Sequence, residues 1–361
     1  LPGGVDRRAE IEATRAAYAL VPTSKHFGIT VDLHHETLRD LPAAEAYPPK
    51  LTASKAFLKV GFGIDVSSEA RWGSFDEVLA VYGALGTPAV AARWRSDEEF
   101  VRQRLQGPNP TWIERVTAAE KRAALGLVEM GIDDGHEVYA ADFRPVMEGA
   151  FGTDGRHCHP CVAVFTVESG KLTARGIRLE RADGSYSVST PADGPAWMLA
   201  KMFYQNADIW VHEVVTHYLW CHVYLEKVIL ATHLNLAAAH PLRRLLALHF
   251  EHTLNLNRNG LLQLMGDGGY FDEKFSPGAP GKAAAVLFGN REWDFWRQVL
   301  PENVARRDVG DLPDYPWRDD ALLVWDELWQ LAEGFVDDWY ADDDAVASDP
   351  EAVAWLADLG A

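Results

Sequence analysis

The chain has 361 residues, 48% of them hydrophobic, with 13 Trp, enough to bury a substantial core, so disorder is not its default state. A formal net charge of −19 argues against nucleic acid and anionic membrane surfaces, which reward Lys and Arg. Three cysteines exclude a disulfide framework, and no run approaches the roughly eighteen apolar residues of a membrane-spanning helix.

In chain order, residues 5 to 21 read as an amphipathic helix, after an opening with neither the basic nor the apolar region of a signal peptide. The chain does not begin with Met and reads as trimmed. Leu51 to Phe62 lies between turn-forming stretches and is expected to open the globule. Helical spacing follows at Phe75 to Leu85, Asp97 to Leu105 and Thr117 to Leu127, with Ser96 as N-cap and Glu99 completing a capping box. Strands are expected at Glu137 to Phe143 and in a hairpin from Val162 to Leu179 around Ser169-Gly170.

Ahead of that hairpin, Cys158 and Cys161 form HCHPC with His157 and His159. A redox C-x2-C should open a helix after a strand, and here the following residues alternate as strands, so an incidental or local structural role is expected. From Trp197 onward the chain reads as nearly all helix, with breaks at Pro241, Gly266 to Gly269, Pro277 to Gly281 and Pro316. The acidic run Asp337 to Asp344 reads as a solvated helix end. Residues 1–361 are thus expected to form one mainly α domain with a small β insertion.

Seven of the thirteen histidines fall between Trp210 and Asn257. His212, His217, His222, His240 and His249 form H-x4-H-x4-H-x17-H-x8-H. A single His on an apolar face is usually a hydrogen-bonded core residue, but five at regular intervals raise a metal hypothesis, since neutral imidazole is a common ligand. On an ideal helix positions i and i+5 lie about 140° apart, so bringing His217 and His222 to one face requires a π-type or unwound turn. HEVVTH is not a zinc-protease motif, because that motif has two residues, not three, between Glu and the second His.

This array resembles the signature of lipoxygenases. The resemblance extends to ARWRSDEEFVRQRLQGPNP (Ala92 to Pro110), WMLAKMFYQNAD (Trp197 to Asp208), WDFWRQVLPENVARRDV (Trp293 to Val309), DYPWRDDALLVWDEL (Asp314 to Leu328) and WYADDDAVASDPEAVAW (Trp339 to Trp355), covering roughly residues 90 to 355. It implies a helical catalytic domain without the N-terminal β-barrel of many eukaryotic members, and a mononuclear non-haem iron, in preference to manganese. His217 and His222 would be ligands, His212 would lie beside them without coordinating, and His240 and His249 would serve in packing or hydrogen bonding around the site.

The implied reaction is insertion of O2 into a polyunsaturated fatty acid or acyl lipid to give a hydroperoxide. A pentadiene C–H is too weakly acidic for an ordinary side-chain base, which is why a redox metal suits the task. Leu219, Leu225 and Leu234 are candidates for an acyl channel or for plain core.

Two departures stand out. The family's remaining ligands, a His, often an Asn, and a C-terminal carboxylate, come from segments beyond the match to Trp339–Trp355, so a further C-terminal part of the same enzyme is expected. Glu251 and Leu261 lie where many members carry arginines, which removes the usual anchor for a free carboxylate. The alternative reading is a non-catalytic lipid-binding or degenerate relative without iron, whose histidines form a buried hydrogen-bond network.

Overall fold

A computed structural model describes residues 6–49 and 73–360. The expected element at Leu51 to Phe62 lies outside the described residues. Among them, helices dominate around a small antiparallel sheet in the order β3-β4-β5-β6-β7: β3 (Ile113–Arg115), β4 (Val138–Asp142), β5 (Cys161–Glu168), β6 (Lys171–Glu180) and β7 (Tyr186–Ser189). A separate two-stranded ribbon pairs β1 (Leu20–Pro22) with β2 (Glu36–Leu38). Neither closes into a barrel.

The expected strands and hairpin are present. The β5–β6 turn places Ser169 and Gly170 at φ 51° and 76°, the left-handed pair that a two-residue hairpin loop needs. One sheet face packs Ala141, Ala163, Phe165 and Ile177 into the main core, and the other packs Val138, Ala140, Val162 and Val164 under Leu125, Leu127 and Met130. Both faces are therefore dry, which is why β5 is nearly continuous in apolar residues instead of alternating. Cys158 and Cys161 are buried beside it as free thiols, and burial pushes both thiol pKa values up, that of Cys158 to about 12.

Asp97–Gln106 is helical as its spacing predicts, capped by Ser96 Oγ accepting from Glu99 N at 3.0 Å, whereas the helix expected over residues 5 to 21 spans only Arg7–Ala17, because Leu20–Pro22 pairs with β2 as a strand. The reciprocal half of the expected capping box is missing. Glu99 turns instead to Arg102, Gln103 and Arg93, because a buried carboxylate is better satisfied by cations than by one peptide N–H. The helix expected over Thr117 to Leu127 is reduced to Ala119–Ala123, and Phe75 to Leu85 contains a 3-10 segment, Glu77–Leu85. The expected breaks are present at all three prolines: Pro277 separates Tyr270–Lys274 from Gly278–Glu292, although the helix has resumed by Gly278, and Pro241 and Pro316 occupy first-turn positions where their missing N–H is harmless. The run from Asp337 to Asp344 is exposed apart from the buried Tyr340, as a solvated helix end requires.

A long helix, Pro195–Val211, carries the chain from the sheet to the histidine segment, with Tyr204 donating from its hydroxyl to the Ala141 carbonyl at 3.0 Å. Near its end Asp208 accepts from Arg104 at 2.8 Å, and both side chains are only 2% exposed. Asn109 Nδ2 adds bonds of 2.8 Å to the Asp208 carboxylate and 2.7 Å to its carbonyl. Asp208→Ala would leave a buried guanidinium uncompensated, and should cost about 3–5 kcal/mol of stability in denaturant unfolding of the full-length protein. Helix Gly278–Glu292 closes the far side, where a Cβ on Gly289 would meet Leu219 Cδ1 at 2.7 Å. A side chain there would have to push the Leu219 side chain aside, so glycine lets the two helices pack closely without that shift.

Candidate metal centre

Residues His212–Val223 form a π-helix twelve residues long, continuous with the α-helices Pro195–Val211 and Tyr224–Asn235. The sequence spacing calls for one widened turn, and the structure widens the whole segment. With i→i+5 bonding, each step of five residues returns close to the same face. His212, His217 and His222 accordingly line up, with ring centroids 5.4 Å and 4.8 Å apart.

The decisive distance is His217 Nε2 to His222 Nε2, 3.0 Å. Two imidazole nitrogens about 2.1 Å from one ion, at right angles about it, stand about 3.0 Å apart. The other nitrogen of each ring is already committed. His217 Nδ1 lies 3.1 Å from Glu213 Oε2, and His222 Nδ1 lies 2.8 Å from Asn257 Oδ1. Both partners are acceptors, so each Nδ1 carries the proton and each Nε2 turns a lone pair toward the other. Such a pair is satisfied by a cation between the rings.

Electrostatics separate the two imidazoles. The Glu213 carboxylate raises the pKa of His217, whereas burial lowers that of His222. His212, also lowered by burial, stacks on His217 at an interplanar angle of 18°, and its Nδ1 is buried without a hydrogen-bond partner. His212, Glu213 and His217 can also present one donor atom each within 4.8 Å of one another. That span exceeds the roughly 4.2 Å that two donors on opposite sides of an ion at about 2.1 Å permit, so the His217–His222 pair is the better-formed site.

The structure does not bring the last two histidines of the array to this pair. His240 caps helix Pro241–Leu246, accepting at Nδ1 from Leu242 N at 3.2 Å, while its Nε2 lies 3.0 Å from Asp349 Oδ2. Tyr340 donates to the same carboxylate oxygen at 2.7 Å. His249 ends a 3-10 turn on the exposed surface. Their 17- and 8-residue gaps cross Pro241 and two helix ends, so helical periodicity does not carry the shared face that far.

Burial alone would raise the pKa of Asp349, but its bonds from Tyr340 and His240 outweigh that and hold it below the usual carboxylate value. A depressed pKa contributes stability above the unfolded value, near 4, and loses it as the pH falls further. His240→Ala should therefore cost about 1–3 kcal/mol at neutral pH and flatten the acid limb of the stability profile, with metal content unchanged. Thermal unfolding against pH, with metal analysis alongside, checks this.

Three residues of the site escape sequence reading. Asn257 arrives from helix Thr253–Gly260, Thr37 from β2, and Glu226 from one turn beyond His222. Only Glu226 leaves a legible signal, a carboxylate four residues after His222 inside VYLEKVIL. These residues, with Tyr218, His35 and Leu261, line a small cavity of about 10 Å3, room for one water at most. On the other side of the histidine helix, Trp112, Trp220 and Phe288 stack along a cleft of about 580 Å3. Leu219 packs in the main core, and Leu225 and Leu234 pack against the cluster of Tyr18, Leu38 and Ile229. Glu251 is exposed and Leu261 buried, so neither supplies a cation.

Residues 180–360 match the lipoxygenase family model. A linoleate 9/13-lipoxygenase of Pseudomonas aeruginosa is 34% identical over 78% of this chain and 45% of its own length. A polyunsaturated fatty acid lipoxygenase of Rattus norvegicus, ALOX15B, is 27% identical over 98% of this chain and 56% of its own. The crystal structure of coral 8R-lipoxygenase superposes with a TM-score of 0.81 at 28% identity, covering 98% of this chain and 56% of that one. Delta413-417:GS LOX in complex with arachidonate gives a TM-score of 0.82 at 26% identity, over 98% and 57%. The chain belongs to the lipoxygenase family, and it spans about half the length of the relatives it matches. The family implies a catalytic metal, and the donor set of paired neutral imidazoles fits one.

Proposed function

We propose that residues 1–361 are the N-terminal and central part of one lipoxygenase catalytic domain, and that the whole protein is a non-haem iron dioxygenase acting on a polyunsaturated fatty acid or acyl lipid. The observation that carries this is the 3.0 Å approach of two Nε2 lone pairs, each ring held from behind at Nδ1. His217 and His222 would hold the metal, with His212 packed against them. Iron is favoured over manganese because imidazole with carboxylate ligands suits its borderline character and leaves positions open. Bound there, iron supplies the one-electron chemistry that removes hydrogen from a pentadiene methylene, and the resulting radical combines with O2.

The protein's own part is to hold both donors aligned. The Glu213 carboxylate steadies one ring and Asn257 the other, while Val214, Val215, Tyr218 and Leu219 bury the opposite side of the helix in the core; the His217 side chain itself is 43% exposed. With neither Glu251 nor Leu261 cationic, the acyl carboxylate is not held by an ion pair at those positions, which leaves esterified lipid as eligible as free acid. Among the described residues no helix is long and apolar enough to cross a membrane.

The test is to express the full-length protein, measure its metals and follow oxygen uptake with linoleate and with a linoleoyl phospholipid. About one iron per chain and a conjugated-diene hydroperoxide product are expected. A metal-free protein that consumes no oxygen with either substrate would overturn the reading in favour of a binding protein.

A further inference from the structure

The amide of Asn257 can be turned either way about its last torsion, and the two ends are chemically opposite. In the structure its Nδ2 faces the Glu226 carboxylate at 2.8 Å and the His222 carbonyl at 3.0 Å, so its Oδ1 faces His222 Nδ1 at 2.8 Å. Glu226 is 4% exposed, Asn257 6%, and Thr37 Oγ1 donates to the second carboxylate oxygen at 2.5 Å. Both groups facing Nδ2 are acceptors only, which forbids the turned amide. Turning it would point an N–H at His222 Nδ1, force the ring proton onto Nε2, and cap the lone pair that faces His217.

A buried carboxylate is costly to keep: burial raises the pKa of Glu226, while the bonds from Thr37 and Asn257 and the charge of Arg258, on the same cavity, work the other way. Its geometry does have a use. We propose that Glu226 is a positioning residue which, by anchoring the Asn257 amide, selects the Nδ1–H tautomer of His222 and so keeps Nε2 free to bind metal. This rests on the reading of His222 as a ligand. Glu226 touches neither ring, and it acts through Asn257 alone. Thr37 completes the chain from outside the helix, fixing the carboxylate plane from the β1–β2 ribbon.

The requirement is for an acceptor oxygen facing Asn257, not for a negative charge. Glu226→Gln keeps such an oxygen and can donate its own amide to Thr37 Oγ1, whereas Glu226→Leu removes it. Both variants would be made in the full-length protein. Two readouts apply: the 15N resonances of the His222 ring in metal-free protein with labelled histidine, and the affinity for Fe(II) and Zn(II).

Wild type and Glu226→Gln should show a protonated Nδ1 and an unprotonated Nε2, with affinities within a few-fold of each other. Glu226→Leu should show a mixed or reversed tautomer and a loss on the order of 10- to 100-fold in affinity, the size of effect seen for groups behind metal ligands. Thr37→Val, a milder change, should move both readouts in the same direction by less, and serves if Glu226→Leu does not fold. A folded Glu226→Leu with the wild-type tautomer and affinity overturns the proposal. So does a Glu226→Gln as damaging as Glu226→Leu, which would show that charge is what matters. If the tautomer shifts as expected while wild type binds no metal, the positioning role stands and the ligand reading falls instead.

Discussion

In the full-length protein, His217→Ala is expected to abolish both metal retention and oxygen uptake, and His222→Ala to do the same. Each variant removes one of two nitrogens that stand 3.0 Å apart, and the surviving ring cannot supply the second donor from the same face. Loss of a directly coordinating side chain should exceed the roughly 10- to 100-fold effects typical of groups that only support a ligand. His249→Ala should be silent in metal content and activity, because its ring is exposed and far along the chain from the pair. His212→Ala separates the two possible donor sets. A stacking role predicts that metal is retained, whereas coordination through His212, Glu213 and His217 predicts that His212→Ala loses metal while His222→Ala keeps it.

The second large effect concerns residues 1–361 expressed alone, which should hold metal weakly, self-associate and consume no oxygen with linoleate. Two imidazoles leave most of a coordination sphere to water, and the chain spans only about half the length of the relatives it matches. The surface points the same way. Helix Pro316–Asp337 buries only Arg318, while helical spacing gathers Leu323, Val324, Leu328 and Leu331 on one exposed side, Leu323 at 67%. Phe295 and Trp296 are exposed as well, the latter at 71%. Apolar patches above a few hundred Å2 mark interfaces or drive aggregation. Light scattering, iron analysis and oxygen consumption on the isolated segment are the measurements. A monodisperse, iron-loaded, active monomer would show that the segment completes its site unaided.

Much of the fold is legible from local pattern. The Val162–Leu179 hairpin follows from alternation around Ser169-Gly170, and the helix after Ser96 from its cap, since both depend on residues only a few positions apart. Local reading fails where a stronger partner or a larger burial competes with the expected one. Glu99 abandons its expected cap for Arg102 and Arg93, and Thr117–Leu127 gives up most of its helix to lay Leu125, Leu127 and Met130 across the sheet. Burying that apolar surface, at roughly 25 cal/mol per Å2, outweighs the few tenths of a kcal/mol by which helix propensities differ.

At the site the division is sharper. The spacing of His212, His217 and His222 by itself dictates that the helix be widened if the rings are to meet, because the angle between positions i and i+5 is a property of the backbone. The identity of the rings and their order are thus carried by eleven consecutive residues. Which nitrogen of His222 is left free is not, although Glu213, four residues before His217, settles the matter for that ring. The choice at His222 depends on Asn257, 35 residues further on, and on Thr37, 189 residues from Glu226, because a tautomer is set by whatever hydrogen-bonds the opposite edge of the ring, and for His222 that edge meets only side chains delivered by tertiary packing.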